Sequence, residues 1–152
     1  MAVLTRQVQG HIYSSKFDDL TDWAEAESLS FWAAYCSSYL DATYYSSPFS
    51  LCVHMEDDGS HNEPSGRYLR RYRTVTIPTG LTSVRMQVRH RWHKSNSVMA
   101  WARKIVLGSQ TFLNQQASDA EDTWHFKNDP VSTSEGSQTL TVGVESYATV
   151  YW

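Results

Sequence analysis

At 152 residues the chain has the size of one domain and can bury a core without disulfide or metal staples. Its 13% aromatic content suits pleated sheets and recognition surfaces, and no run approaches the roughly 18 apolar residues of a membrane-spanning helix. The formal net charge of −3 hides an asymmetry: residues 67–104 hold ten cations and no Asp or Glu, while the rest sets sixteen acids against Arg6, Lys16 and Lys127. Such segregation speaks about partners rather than fold.

The first ten residues, "MAVLTRQVQG", contain neither an apolar run nor a small-residue cleavage site, so no secretory signal is expected. The expected setting is a virion surface, reached without a signal at lysis, or the extracellular space. Residues 1–10 are read as an arm that contacts a neighbour, and residues 1–152 as a single domain.

Strand-like runs then follow one another, separated by turn signals. "QGHIYSSKF" leads into the acidic stretch "FDDLTDWAEAE", read as a loop with strand ends, and "WAEAESLSFWAAYC" has room for one helical turn. "YLDATYYSSPFSLCVHME" sets Phe49, Leu51, Val53 and Met55 on one face. Cys36 and Cys52 stand sixteen residues apart, and a bridge between them would close a loop worth about 3 kcal/mol; two unpaired thiols are the alternative. Past the turn "DDGSHNEPSG" comes "RYLRRYRTVTI", and "PTGLTS" is a Pro/Gly turn.

"VRMQVRHRWHK", residues 84–94, alternates with period two. Val84, Met86, Val88 and Trp92 are read inward, and Arg85, Gln87, Arg89 and Arg91 outward. "KSNS" is short enough to make a hairpin with "SVMAWARKIVLG". "TFLNQQ", "DTWHFKND" and "SQTLTVGVESYATVYW" complete eight or nine short antiparallel strands, the pattern of an all-β sandwich with little or no helix.

Phe17-Asp18 with Trp23, then Ser47 with Ser50-Leu51, then Pro78, Gly80 and Thr82-Ser83-Val84, then Trp124 with Phe126 occur in an order that resembles the jelly roll of carbohydrate-binding modules and related galactose-binding-like domains. The resemblance covers most of the chain through short motifs. It implies a jelly-roll fold and, for some members, sugar binding. That family often closes with a D-D/N-V strand that helps hold a structural calcium, whereas this chain reads "ATVYW" there. No cofactor is therefore expected, although Asp18 or Asp19 would be the place for calcium.

The sequence contains no phosphate loop, no G-x-S-x-G elbow and no H-E-x-x-H motif. His90 and His93 lie three apart, on opposite faces of a strand, and His54, His61 and His125 are scattered. No carboxylate pair is set across a cleft as glycoside hydrolysis needs. The chain is read as a non-enzyme.

The candidate binding residues are Arg67, Arg70, Arg71, Tyr72, Arg85, Arg89, Arg91, Trp101 and Arg103, expected to share one basic, aromatic sheet. Other protein subunits fit that surface best, because Arg and Tyr are favoured at interfaces and the acidic loops of one copy complement the arginines of the next. This describes a capsid-decoration or tail subunit, either self-assembling or bound to a capsid or tail protein. A glycan stacked on exposed aromatics is the alternative, and a stripe of such aromatics on one sheet would mark it. Nucleic acid is disfavoured by the sequence pI of about 6.0. The acids could also fold back and cancel the basic strands within one chain.

Overall fold

The computed structural model describes residues 19–28, 35–41, 50–56, 66–91, 101–116 and 123–146. Among these, the regular structure is entirely strand: β1 (Ala24–Ser28), β2 (Tyr35–Asp41), β3 (Ser50–Glu56), β4 (Tyr68–Ile77), β5 (Ser83–His90), β6 (Trp101–Leu107), β7 (Gln110–Gln116), β8 (His125–Ser132) and β9 (Gly136–Ser146). The all-β class and the count of nine follow the reading of the sequence. All the pairings are antiparallel. One sheet has five strands in the order β1-β4-β9-β6-β7, and two ribbons are formed by β2–β3 and β5–β8.

Period-two patterning explains why these segments are strands and which side each buries. On β4, Leu69, Val75 and Ile77 are buried while Thr74 and Thr76 are exposed. On β5 the exposed residues are Ser83, Arg85, Gln87 and Arg89, and those between them are half-buried. The two buried sides meet. Ile105, Phe112 and Leu113 of the large sheet pack with Val131, Met86 and Val88 of the β5–β8 ribbon. Val75, Ile77 and Leu107 pack with Leu81, Val84 and Met86. Met86 and Leu140 join both groups, so the core is continuous between the layers. Each fully buried aliphatic side chain contributes about 1.5–3 kcal/mol. The chain alternates between layers: large sheet for β1, β4, β6–β7 and β9, ribbons for β2–β3, β5 and β8.

Several expectations are corrected. β5 and β6 do not form a hairpin: β5 pairs with β8, whereas β6 lies between β9 and β7. A short connection permits a hairpin but does not require one, and here the buried side of each strand is satisfied by crossing to the opposite layer. The segment read as an acidic loop with one helical turn holds strand β1, whose Glu25 stands opposite Arg71 of β4. Cross-strand attraction of opposite charges overrides the weak strand propensity of Ala and Glu. Cys36 lies opposite Met55, and Cys52 opposite Tyr39. That offset of three residues sets the two Cα atoms about 10 Å apart along the ribbon, farther than a disulfide reaches. The run 9–17, Phe49, the arm 1–10 and Trp92 lie outside the described residues.

The β6–β7 turn contains Gly108, with φ +57°, and its N–H donates to the Thr139 carbonyl at 2.9 Å. A side chain in that left-handed conformation is strained, and a methyl would also meet the movable Gln138 amide oxygen. Gly108→Ala is expected to lower stability by about 1 kcal/mol in urea unfolding, and Gly108→Asn by less.

Candidate functional site

The arginines do not share one face. β4 and β6 are separated by β9, and β5 belongs to the other layer. The candidates therefore fall on three surfaces, each with its own chemistry.

The first lies between the layers. Arg71 shares the side of β4 that carries Leu69, beside Glu25 on β1. Its Nη2 meets the Glu25 carboxylate at 2.9 Å and donates to the Ser38 carbonyl at 3.0 Å. Nε donates to Ser38 Oγ at 2.6 Å, and Nη1 to the Trp23 carbonyl at 3.3 Å. The Ser38 hydroxyl in turn donates to Glu25. One guanidinium thus joins β1, the Trp23 turn and the β2–β3 ribbon, a task its rigid fork suits and a lysine could not match. Arg73 reaches Asp22 at 3.5 Å and lies 5.9 Å from the Trp23 ring. Arg103 is buried at 7% exposure, and its Nη1 donates to His90 Nδ1 at 3.1 Å. Because arginine only donates, His90 must present an unprotonated Nδ1. His90 also faces His125 across the β5–β8 ladder, with ring centroids 5.6 Å apart.

The second surface is the solvent face of the large sheet. Arg70 and Lys104 both bind Glu145, the latter at 2.8 Å, and the Arg70 guanidinium lies 3.8 Å from the Tyr68 ring. Tyr72 is exposed on the same face. Arg70, Arg71, Arg73 and Lys104 are therefore each paired with an acid of their own chain. Arg67, just before β4, donates to Ser28 Oγ at 3.2 Å. Trp101 begins β6 opposite Ser146.

The third surface is the outward face of the β5–β8 ribbon, where the alternation along β5 places its arginines as expected. Arg89 stands opposite Phe126, its guanidinium 4.6 Å from the ring, and both residues are exposed, Phe126 at 50%. Half-buried Arg91 lies 5.9 Å from the Trp124 ring, and exposed Arg85 donates to Asn128 Oδ1 at 3.3 Å. Side chains two apart on a strand recur about every 6.7 Å, so Arg89 and Arg91 are one step apart and Arg85 lies two steps from Arg89 across Gln87, a broken ladder of planar cations beside aromatics and an amide. A guanidinium held near a ring face is attracted by it and keeps N–H donors for a bidentate acceptor such as a carboxylate.

Trp124, Phe126 and Asn128 brace this ladder, and Glu25, Ser38 and Glu145 occupy the other two surfaces; none was among the candidates. The alternation within "DTWHFKND" marks the first three, by the same signal that marked the arginines. The other three depend on long-range register. The large exposed hydrophobics among the described residues are Tyr39, Tyr72 and Phe126, which lie on β2, β4 and β8 in three different sheets. Those three therefore form no stripe. Asp19 Oδ1 accepts from the Thr21 N–H at 2.9 Å, and Asp18 lies outside the described residues. Among the described residues no three His, Cys, Asp or Glu gather as a metal site requires. Comparison with protein-family models, with curated proteins and with solved structures finds no match.

Proposed function

We propose that the protein is a non-catalytic structural subunit that docks through the β5–β8 face onto an acidic surface of a neighbouring subunit, in the manner of a capsid-decoration or tail protein on a virion. The observation that carries this reading is the braced ladder of Arg85, Arg89 and Arg91 on one sheet face. Arginine and aromatic residues are enriched where proteins bind proteins, and pre-oriented guanidinium groups lose little freedom on contact. Arg70, Arg71, Arg73 and Lys104 are ion-paired within the chain, and the arginines of β5 lie on the outward face of the ribbon. The alternation of strands between layers supports the jelly-roll reading. Among the described residues the exposed aromatics are scattered over three sheets, which favours a protein partner over a glycan.

The test uses immobilised poly-glutamate as a carboxylate-bearing probe. The wild-type protein is expected to bind it and to release it as salt rises, since exposed charges are screened over about 10 Å. Arg89→Glu is expected to weaken binding about tenfold with an unchanged melting temperature, because it alters a charge at the surface of the contact rather than a buried group. Equal binding by the variant would remove the β5–β8 face from the function.

A further inference from the structure

We infer that the partner met by the β5–β8 face carries apolar side chains beside its carboxylates, and that Phe126 is the apolar centre of the contact. This rests on the docking reading above and names the chemistry of the surface received.

The two strands of the ribbon bring different rows to one face. The outward row of β5 holds Arg85, Gln87 and Arg89, all exposed. The outward row of β8 holds Phe126, Asn128, Pro130 and Ser132, also exposed and without a charged member. Lys127 and Asp129 alternate onto the other side of β8, where they pair with each other at 2.8 Å and Lys127 lies 5.2 Å from the Phe112 ring. Neighbouring strands are about 4.8 Å apart, so a row with arginines and an uncharged row run side by side.

Phe126 is the most exposed of the large hydrophobic residues described, at 50%. Tyr39 and Tyr72 each end in a hydroxyl that water can bind, whereas the Phe126 side chain is carbon throughout. Its ring stands opposite Arg89, 4.6 Å from the guanidinium. A carboxylate drawn to Arg89 therefore arrives beside carbon. A purely acidic surface pressed onto this face would lose water from its carboxylates against the ring, which costs free energy. An apolar group of the partner placed over the ring avoids that cost and buries apolar area on both sides. That gain does not depend on how the arginines are balanced within their own chain. Pro130, four residues along the same row, carries the uncharged strip about 13 Å from Phe126. An aromatic ring with arginine and amide groups around it is the composition of an interface centre.

Binding to two immobilised polymers tests this: poly-glutamate, and a copolymer of glutamate and tyrosine at equal carboxylate density. The wild type is expected to bind the copolymer about tenfold more tightly. It is also expected to hold the copolymer at a salt concentration that releases poly-glutamate, because apolar contact is not screened. Phe126→Ala is expected to bind both polymers equally with an unchanged melting temperature, since the ring is exposed. Phe126→Gln, of similar reach but polar, carries the same expectation should the alanine variant lose its native melting transition.

Equal binding of the two polymers by the wild type would overturn the inference, as would a preference for the copolymer that survives Phe126→Ala. The poly-glutamate arm separates the two claims. If Arg89→Glu weakens poly-glutamate binding while the copolymer gains nothing, the docking reading stands and its partner is acidic without an apolar centre. If neither polymer binds, the docking reading falls as well.

Discussion

Arg71→Ala is expected to lower the stability of the protein by about 3 kcal/mol, equivalent to a fall of roughly 6–12 °C in melting temperature for a domain of this size. The arginine is the one described side chain bonded at once to β1, to the Trp23 turn and to the β2–β3 ribbon. Its removal takes the charged donor from the Glu25 carboxylate, which keeps only the Ser38 hydroxyl among the described contacts, and takes one donor from the Ser38 carbonyl between two layers. Glu25 is partly exposed, with 37% of its side chain accessible, so water recovers some of the loss and the full cost of a buried ion pair is not reached. Arg71→Lys keeps the charge but not the fork, and a loss of about half that size is expected. Urea unfolding measures both, and hydrogen exchange should show the β2–β3 amides opening first in the alanine variant. An unchanged midpoint for Arg71→Ala would mean that the clamp contributes nothing and that other contacts hold the ribbon.

Gly143→Ala is expected to be comparably damaging, at roughly 3 kcal/mol. Gly143 lies on β9 between Arg70 of β4 and Lys104 of β6. A methyl there would fall against the Leu69 carbonyl oxygen, 2.8 Å from the Arg70 Cα and 3.0 Å from its Cγ. Two of those atoms are backbone and cannot move aside without parting β4 from β9. The third belongs to the stem that Arg70 extends toward Glu145. The same substitution therefore strains the ladder and displaces the ion pair above it. Thermal unfolding followed by far-UV circular dichroism checks the loss, and wild-type stability would show that the strands can separate without cost.

These two residues mark the limit of what was legible in the sequence. Period-two alternation identified β5, its inward Val84, Met86 and Val88, and its outward Arg85 and Arg89, because alternation is a property of one strand. The same rule applied to "YLRRYRTVTI" puts Arg71 and Arg73 in the same row as Leu69, Val75 and Ile77, a sign that charge is held between layers. What alternation omits is which strand lies alongside. The four residues of "KSNS" suggested that β5 and β6 are neighbours, whereas β5 lies beside β8 and β6 beside β9. That mispairing also gathered Arg70, Arg89 and Arg103 onto one imagined face. The acids that neutralise β4 were visible as a run, but the Glu25–Arg71 match depends on a register that spans 46 residues of sequence. Gly143 resembled any other small residue, since the need for it comes entirely from the neighbouring backbone.

The central position of β9 has a consequence for synthesis. It is the strand that joins β4 to β6, and it is made after both. About sixty residues separate the end of β4 from the start of β9, which corresponds to roughly 3–12 s at about 5–20 residues per second. β4 waits through that interval and β6, complete at Leu107, through about its second half, each with an open edge that could take up a strand from a neighbouring ribosome. Arg70, Arg71, Arg73 and Lys104 lie on those two waiting strands. Until Glu145 is made, Arg70 and Lys104 lack the acid they later share, and like-charge repulsion between such strands opposes joining of the unfinished chains of one polysome.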